Sequence, residues 1–248
     1  MAAAPWTVDW LKKVFLFGID LTDDDGNAFP DELFDQGMNA ALAWLSHALD
    51  IKIPRTQIVG ERHDFRGVQH GEWWLIDLDH IPVASVEKVS FKFGQQEILD
   101  IPDDWILEVI KGTGQIQIVP NAGTLFTWPL AQFGFYSASM LSQYGSLPGW
   151  YSIDYTAGYD AAELPFDLLD IAGKWASGYP LNTAGDLIVG AGVASKSTSL
   201  DGASQSVSTT SSATNAGYGA RINQYQKDIK EAIPILRRRY HGMQMKVV

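Results

Sequence analysis

The chain has 248 residues, of which 46% are hydrophobic and 19% charged, so one large domain or two small ones can each hold a core. It has no cysteine, which excludes a disulfide framework, thiolate metal sites and cysteine nucleophiles. Its charge of −11 is uneven: residues 221–248 hold seven basic side chains against Asp228 and Glu231, a local +5, which leaves −16 on residues 1–220. Such an acidic body repels nucleic-acid phosphates over most of its surface, and the basic end suits an acidic partner or another copy of the body.

The N-terminus, Met1-Ala-Ala-Ala-Pro-Trp6, has neither the basic nor the apolar region of a secretory signal. No run approaches the roughly 18 apolar residues of a membrane span, so a soluble protein that stays where it is made is expected. Trp6, Trp10, Val14 and Phe17 recur at helical spacing and predict a first helix that Gly18 closes. Asp23-Asp-Asp25-Gly26-Asn27 with Glu32 has the look of a calcium loop. Its first ligand position would fall on Leu21, which offers no oxygen, and a solvated loop is expected instead. Pro30, Asp31 and Glu32 then open a second helix whose inner face is Leu33, Phe34, Met38, Ala41, Leu42, Leu45 and Leu49.

From Ile53 the texture changes to short runs rich in β-branched and aromatic residues, at 58–59, 73–76, 86–93, 106–110, 116–119 and 150–155, separated by Gly, Pro and Asp. The run 86–93 alternates Val86, Lys88, Ser90 and Lys92 against Glu87, Val89, Phe91 and Phe93, so one face should be solvated. Residues 55–156 thus predict an antiparallel module of about five to seven strands. Within it, 121–147 is aromatic and poor in charge, and is expected to be a long loop covered by a partner surface.

Helix returns at Leu164-Pro165-Phe166-Asp167, opened again by proline and an acid. Residues 195–214 include 12 Ser or Thr, too few apolar groups for a core, and predict a linker or an arm that something else orders. A last helix is expected from about Tyr218 to Arg239, with Tyr218, Ile222, Tyr225, Ile229, Ile233 and Leu236 on one stripe and a kink at Pro234. The fold class that emerges is α+β: a helical bundle core made of residues 1–54 and 157–248, with the antiparallel β module 55–156 inserted between them.

Chemical motifs are sparse. Asp186-Leu-Ile-Val-Gly190-Ala-Gly192-Val-Ala-Ser195 imitates a dinucleotide fingerprint, but Ser195 stands at the third glycine and no acid follows at the ribose-binding distance. No two of His47, His63, His70, His80 and His241 have the helical i, i+4 spacing of a zinc site, so surface or satisfied histidines are expected. Nucleophile-elbow and phosphate-binding-loop motifs are absent from the sequence. Carboxylate pairs such as Asp77/Asp79 and Asp103/Asp104, expected in a chain with 29 acids, have no positional motif that points to glycoside hydrolysis. The reading is therefore of a protein that is not an enzyme, with no cofactor, no catalytic residue and no metal ligand.

The segment Ile153-Asp-Tyr155-Thr156-Ala157-Gly158-Tyr159-Asp-Ala-Ala-Glu-Leu164-Pro165-Phe-Asp167-Leu168 resembles a recurrent signature of the head–tail connector (adaptor) proteins of tailed bacteriophages. In that signature a strand ending in Tyr-Thr-Ala-Gly-Tyr passes through a turn into Leu-Pro and a helix. An acidic-opened N-terminal helix pair, a Ser-rich stretch and a terminal helix ending in Arg237-Arg238-Arg239 are similar too, although the β module is larger than in compact members. The resemblance covers 150–240 well and 30–60 loosely.

The resemblance implies a virion protein of the neck, assembled in the host cytoplasm: a ring, usually of twelve subunits, beneath the portal. It implies that the C-terminal segment, here Arg237, Arg238, Arg239, Tyr240 and Lys246, contacts the portal protein. A downstream neck or tail protein is the other partner, and genomic DNA passes through the channel without sequence-specific binding. Tyr155, Thr156, Gly158, Tyr159 and Pro165 are implied to shape the turn, with no membrane contact. Two other readings stand beside it. One is a different neck component, such as a tail-completion or stopper protein. The other is a carbohydrate-binding protein that uses Trp73, Trp74, Trp105, Trp128 and Trp150 as stacking platforms.

Overall fold

Local chemistry fixes the helix starts and stops. The computed structural model describes residues 6–66, 75–119, 145–160, 163–189, 195–200, 203–208 and 218–241. They fall into two compact units, Met1–Asp50 with Ala161–Arg237, and Ile51–Asp160 with Arg238–Val248. The protein is α+β, and among the described residues the paired strands are antiparallel.

The first unit contains α1 (Val8–Val14), α2 (Asp31–Leu49), α3 (Phe166–Ala176), α4 (Gly178–Val189) and most of α5 (Gly219–His241). Thr7 caps α1 by accepting the Trp10 amide at 3.3 Å. Here the structure departs from the expected stripe: Leu11, Phe15 and Leu16 are buried, while Val14 and Phe17 are exposed. The helix stops at Val14, so the residues beyond it leave the 3.6-residue period. In α2 the buried residues are Phe34, Gly37, Met38, Ala41, Leu42, Leu45 and Leu49, with Leu33 half-buried at the margin. Asp50 ends the helix in the left-handed region at φ 56°, which a short polar residue tolerates.

Two close approaches define the packing of this unit. A Cβ on Gly173 would sit 2.2 Å from Phe15 Cε2, and one on Gly37 would sit 3.0 Å from the Ala176 carbonyl. Only glycine lets α3 approach both partners so closely. Trp44 and Trp175 stack at 5.9 Å. The apolar start of the apparent dinucleotide fingerprint, Asp186 to Val189, is the end of helix α4 and not a strand, which removes the context that motif needs. α5 buries Gly219, Ile222, Ile229 and Leu236, and it continues as helix through Pro234 to His241. The Ser/Thr-rich segment contains a hairpin, β8 (Ser195–Leu200) with β9 (Ala203–Ser208). Its sequence signal is Asp201-Gly202, the dipeptide that favours a two-residue hairpin turn.

The second unit is built from β1 (Thr56–Arg66), β2 (Leu75–Asp77), β3 (Val83–Phe93), β4 (Gln96–Ile101), β5 (Ile106–Ile110), β6 (Gln115–Ile118) and β7 (Ser146–Ala157). One sheet has the order β1-β7-β3-β4 and the other β2-β6-β5. They share a core that includes Phe65, Ile76, Phe91, Trp105, Ile118, Trp150, Tyr151 and Tyr155. Trp105 and Trp150 are 1% and 0% exposed, so neither is a stacking platform for sugar. Trp73, Trp74 and Trp128 lie outside the described residues, as does the expected aromatic loop up to residue 144.

Strand β7 lies between β1 and β3, which explains its unbroken buried run from Trp150 to Ile153. In β3 the simple alternation fails: Ser90 is buried with Val89 and Phe91, while Phe93 is 55% exposed. Register shifts against β7 at Val83/Ser85 and Val86/Lys88, and against β4 between Phe91 and Lys92 just before the exposed Phe93, interrupt the two-residue period. The edge strand β4 is held to β3 by Lys88, which reaches both Glu97 and Asp100 at 2.9 Å.

Candidate functional site

The signature segment is the link from β7 to α3. Tyr155 is fully buried on β7. Its hydroxyl donates to Glu61 Oε2 at 2.5 Å and accepts the His80 amide at 3.1 Å. Burial, and then the neighbouring Glu61 carboxylate, hold this phenol above its ordinary pKa. Thr156 Oγ1 donates to Glu87 Oε1 at 2.7 Å. Gly158 takes φ +104°, and a Cβ there would sit 2.8 Å from the Pro54 carbonyl. Its amide donates to the Pro82 carbonyl at 2.8 Å, and the Tyr159 carbonyl accepts the Arg55 amide at 2.9 Å. Pro165 is the N-cap of α3 in an extended conformation (φ −57°, ψ 144°). The five signature residues therefore sit at a strand end, a left-handed glycine and a helix start.

The basic group lies on the last turn and a half of α5. Arg237, Arg238 and Arg239 are all exposed. Successive helical residues diverge by about 100°, so the three form a collar and not a stripe. Arg238, Arg239 and His241 stand at the negative end of the helix dipole. Arg237 also ties two helices together, because its Nη2 donates to the Ala48 carbonyl at 2.6 Å and satisfies a C-terminal carbonyl of α2. Tyr240 meets Tyr159 edge-on with ring centroids 6.3 Å apart, which brings together two residues the sequence placed in separate groups. Lys246 lies outside the described residues.

A groove of about 270 Å³ in the helical unit is lined by Trp175, Tyr179, Ile222, Tyr225 and Ile229 beside Lys174. The Lys174 amine lies 2.9 Å from Asp170 and 3.0 Å from Asp228. Burial alone would depress its pKa, but hydrogen bonds to the two carboxylates outweigh burial and raise it.

The structure also assembles a polar cluster that the sequence does not announce. Glu61 and His63, two apart on β1, face the same side and pair at 2.7 Å from His63 Nε2 to Glu61 Oε1. The same Glu61 oxygen accepts the Asp79 amide at 2.9 Å. The Glu61 side chain is 9% exposed and that of His63 16%. Burial pushes the Glu61 pKa up, yet hydrogen bonds from His63, the Asp79 amide and Tyr155 more than offset it and keep the carboxylate ionised. One donor atom each from Glu61, His63 and Asp79 lies within 4.8 Å of the other two. A polar recess of about 290 Å³ opens beside Glu61, lined by His63 and Asp79 with Arg62, Asp64, Arg66 and Asp77. The only hint in the sequence is Glu-x-His in a strand, because Asp79 joins through the fold.

No protein-family model matches this chain, and no curated protein does. Among solved structures it is similar to a chain of the neck of an empty gene transfer agent particle computed with C6 symmetry. That chain is 18% identical, with 62% of this chain and 70% of that one covered, at a TM-score of 0.37. It is also similar to a chain of the virion of a native gene transfer agent particle, 17% identical over 71% of this chain and 77% of that one, at a TM-score of 0.42.

Proposed function

We propose that this chain is a structural neck protein of a phage-like particle: a head–tail adaptor that forms a ring beneath the portal and joins the capsid to the neck or tail. The observation that carries this reading is the signature segment. Tyr155 to Pro165 resembles the adaptor motif in sequence, and its local geometry supplies what the motif requires, a strand end, a glycine at φ +104° and a proline-capped helix. Charge supports the same reading, with +5 on residues 221–248 against −16 on the rest. Positive ends engaging a negative ring give both attraction and a preferred partner orientation. Exposed Phe17, Phe166 and Ile235 in the helical unit supply apolar surface that neighbours in a ring would cover.

In this reading the role is mechanical, with no catalytic step. Twelve copies follow the resemblance, and DNA slides past an acidic surface without sequence-specific contact. Mass photometry of the purified protein, alone and mixed with the portal protein of the same particle, tests it. Rings, or a shift of many subunits that depends on portal, are expected. A monomer indifferent to portal overturns the adaptor role, and a complex with a downstream neck protein alone would reassign it as a stopper or tail-completion protein.

A further inference from the structure

We infer that Glu61, His63 and Asp79 form a binding site for a divalent transition-metal ion, with Zn²⁺ the best fit, that clips β1 to the segment between β2 and β3. The donor set is one imidazole and two carboxylates, which suits zinc and its neighbours. An all-oxygen cage would be needed for calcium or magnesium. Around a tetrahedral zinc with bonds of about 2.0 Å, ligand atoms lie roughly 3.3 Å apart. His63 Nε2 and Glu61 Oε1 are already 2.7 Å apart, and all three donors fit within 4.8 Å, so small side-chain rotations convert the cluster into a coordination shell.

The surroundings have the features of a ligand shell. Glu61 is oriented from behind by the Tyr155 hydroxyl on its other oxygen, the kind of outer hydrogen bond that fixes a ligating carboxylate. Glu61 Oε1 keeps a lone pair for the ion while retaining the Asp79 amide. His63 ligates through Nε2 as the neutral tautomer protonated on Nδ1, so the proton that Nε2 shares with Glu61 leaves to solvent while Nδ1 holds or takes up the ring's one remaining proton, and the metal takes the place at Nε2. Two carboxylates balance the 2+ charge. Arg62, which lines the same recess, is occupied: its guanidinium donates to the carbonyls of Gly149 and Gly94. The recess leaves the fourth position to water. By joining Asp79 to β1, the ion closes a loop in the β unit. This inference does not depend on the adaptor role.

The test is isothermal titration of the full chain with ZnCl₂, with MgCl₂ and CaCl₂ as comparisons. The expected result is one zinc per chain and a rise in melting temperature, with neither from magnesium. His63→Ala should abolish binding, Asp79→Asn should weaken it at least about 10-fold, and Tyr155→Phe should weaken it roughly 10- to 100-fold through the outer hydrogen bond. His80→Ala, which removes a neighbouring imidazole, should leave binding intact. No zinc binding, or zinc binding that survives both His63→Ala and Asp79→Asn, overturns the site. Should His63→Ala not fold, NMR of the wild-type histidines decides: a His63 ring resonance unmoved by stoichiometric zinc overturns the inference, and a shift confined to His63 supports it.

Discussion

The helical and β units solve the same packing problem with different materials. In the helical unit apolar stripes meet at close range, and the decisive contacts are glycines facing large groups: Gly173 against Phe15, and Gly37 against the Ala176 carbonyl. In the β unit polar side chains fasten backbone irregularities. The Gly60 amide, at a register shift in β1, donates to Asp154 at 2.6 Å, the Gly149 amide donates to Asp64 at 2.8 Å, and Arg62 binds the carbonyls of Gly149 and Gly94. Stripes are periodic and can be read along a chain. Fasteners such as these join positions far apart in sequence, up to 94 residues for Gly60 and Asp154, and cannot.

The largest effect should come from filling the tightest gap. Gly173→Leu would drive a side chain into the Phe15 ring, and we expect a loss of about 3 kcal/mol or more, read as a lowered urea midpoint. A normal midpoint would mean that α3 does not rely on that approach. Next comes Gly158→Ala in the β unit. It combines a left-handed backbone with a Cβ 2.8 Å from the Pro54 carbonyl, and should cost roughly 2 kcal/mol. If Gly158→Ala proves neutral while Gly173→Leu does not, the signature turn is less constrained than its sequence suggests.

The same contrast explains what the sequence could reveal. All six apolar side chains buried in α2 lie on the stripe its sequence predicts, because a 19-residue helix repeats its pattern over five turns. The stripe predicted for α1 fails because seven residues hold only two turns, and Phe15 and Leu16 are buried from beyond its end. Strand β4 leaves no sequence signal because an edge strand exposes Gln96, Glu97 and Ile98 together, so no apolar face shows. The strand-to-helix turn at Gly158 and Pro165 is legible, since both residues act through their own backbones. The Glu61–His63–Asp79 cluster is not, since Asp79 reaches Glu61 across 18 residues through the sheet connection.

Arg237 sharpens the distinction between a fastener and a partner-binding residue. Its hydrogen bond to the Ala48 carbonyl makes it a polar fastener within the helical unit, and Arg237→Ala should cost about 1 kcal/mol in the isolated protein. A residue kept only to meet the portal would show no such loss. Thermal denaturation without any partner separates the two roles.

The smallest effect belongs to the Lys174 pair of contacts. Lys174→Met removes a cation whose side chain is 17% exposed from between Asp170 and Asp228, and leaves carboxylates that water can solvate, so we expect a loss below about 1 kcal/mol at neutral pH. Its pH dependence identifies the source. Hydrogen bonds from Lys174, then from Gln224, hold the Asp228 pKa below that of an ordinary aspartate. A carboxylate with a depressed folded-state pKa contributes stability that is present above its unfolded value, near 3.8, and is lost as pH falls through the lower folded value. The gap between wild type and Lys174→Met should therefore be constant from pH 7 to about 5 and shrink below about pH 4. Thermal scans across that range would show it. A gap that persists undiminished at pH 2 would mean that the carboxylate pairing is not its source, and that methionine fits the groove beside Trp175 less well than the lysine side chain does.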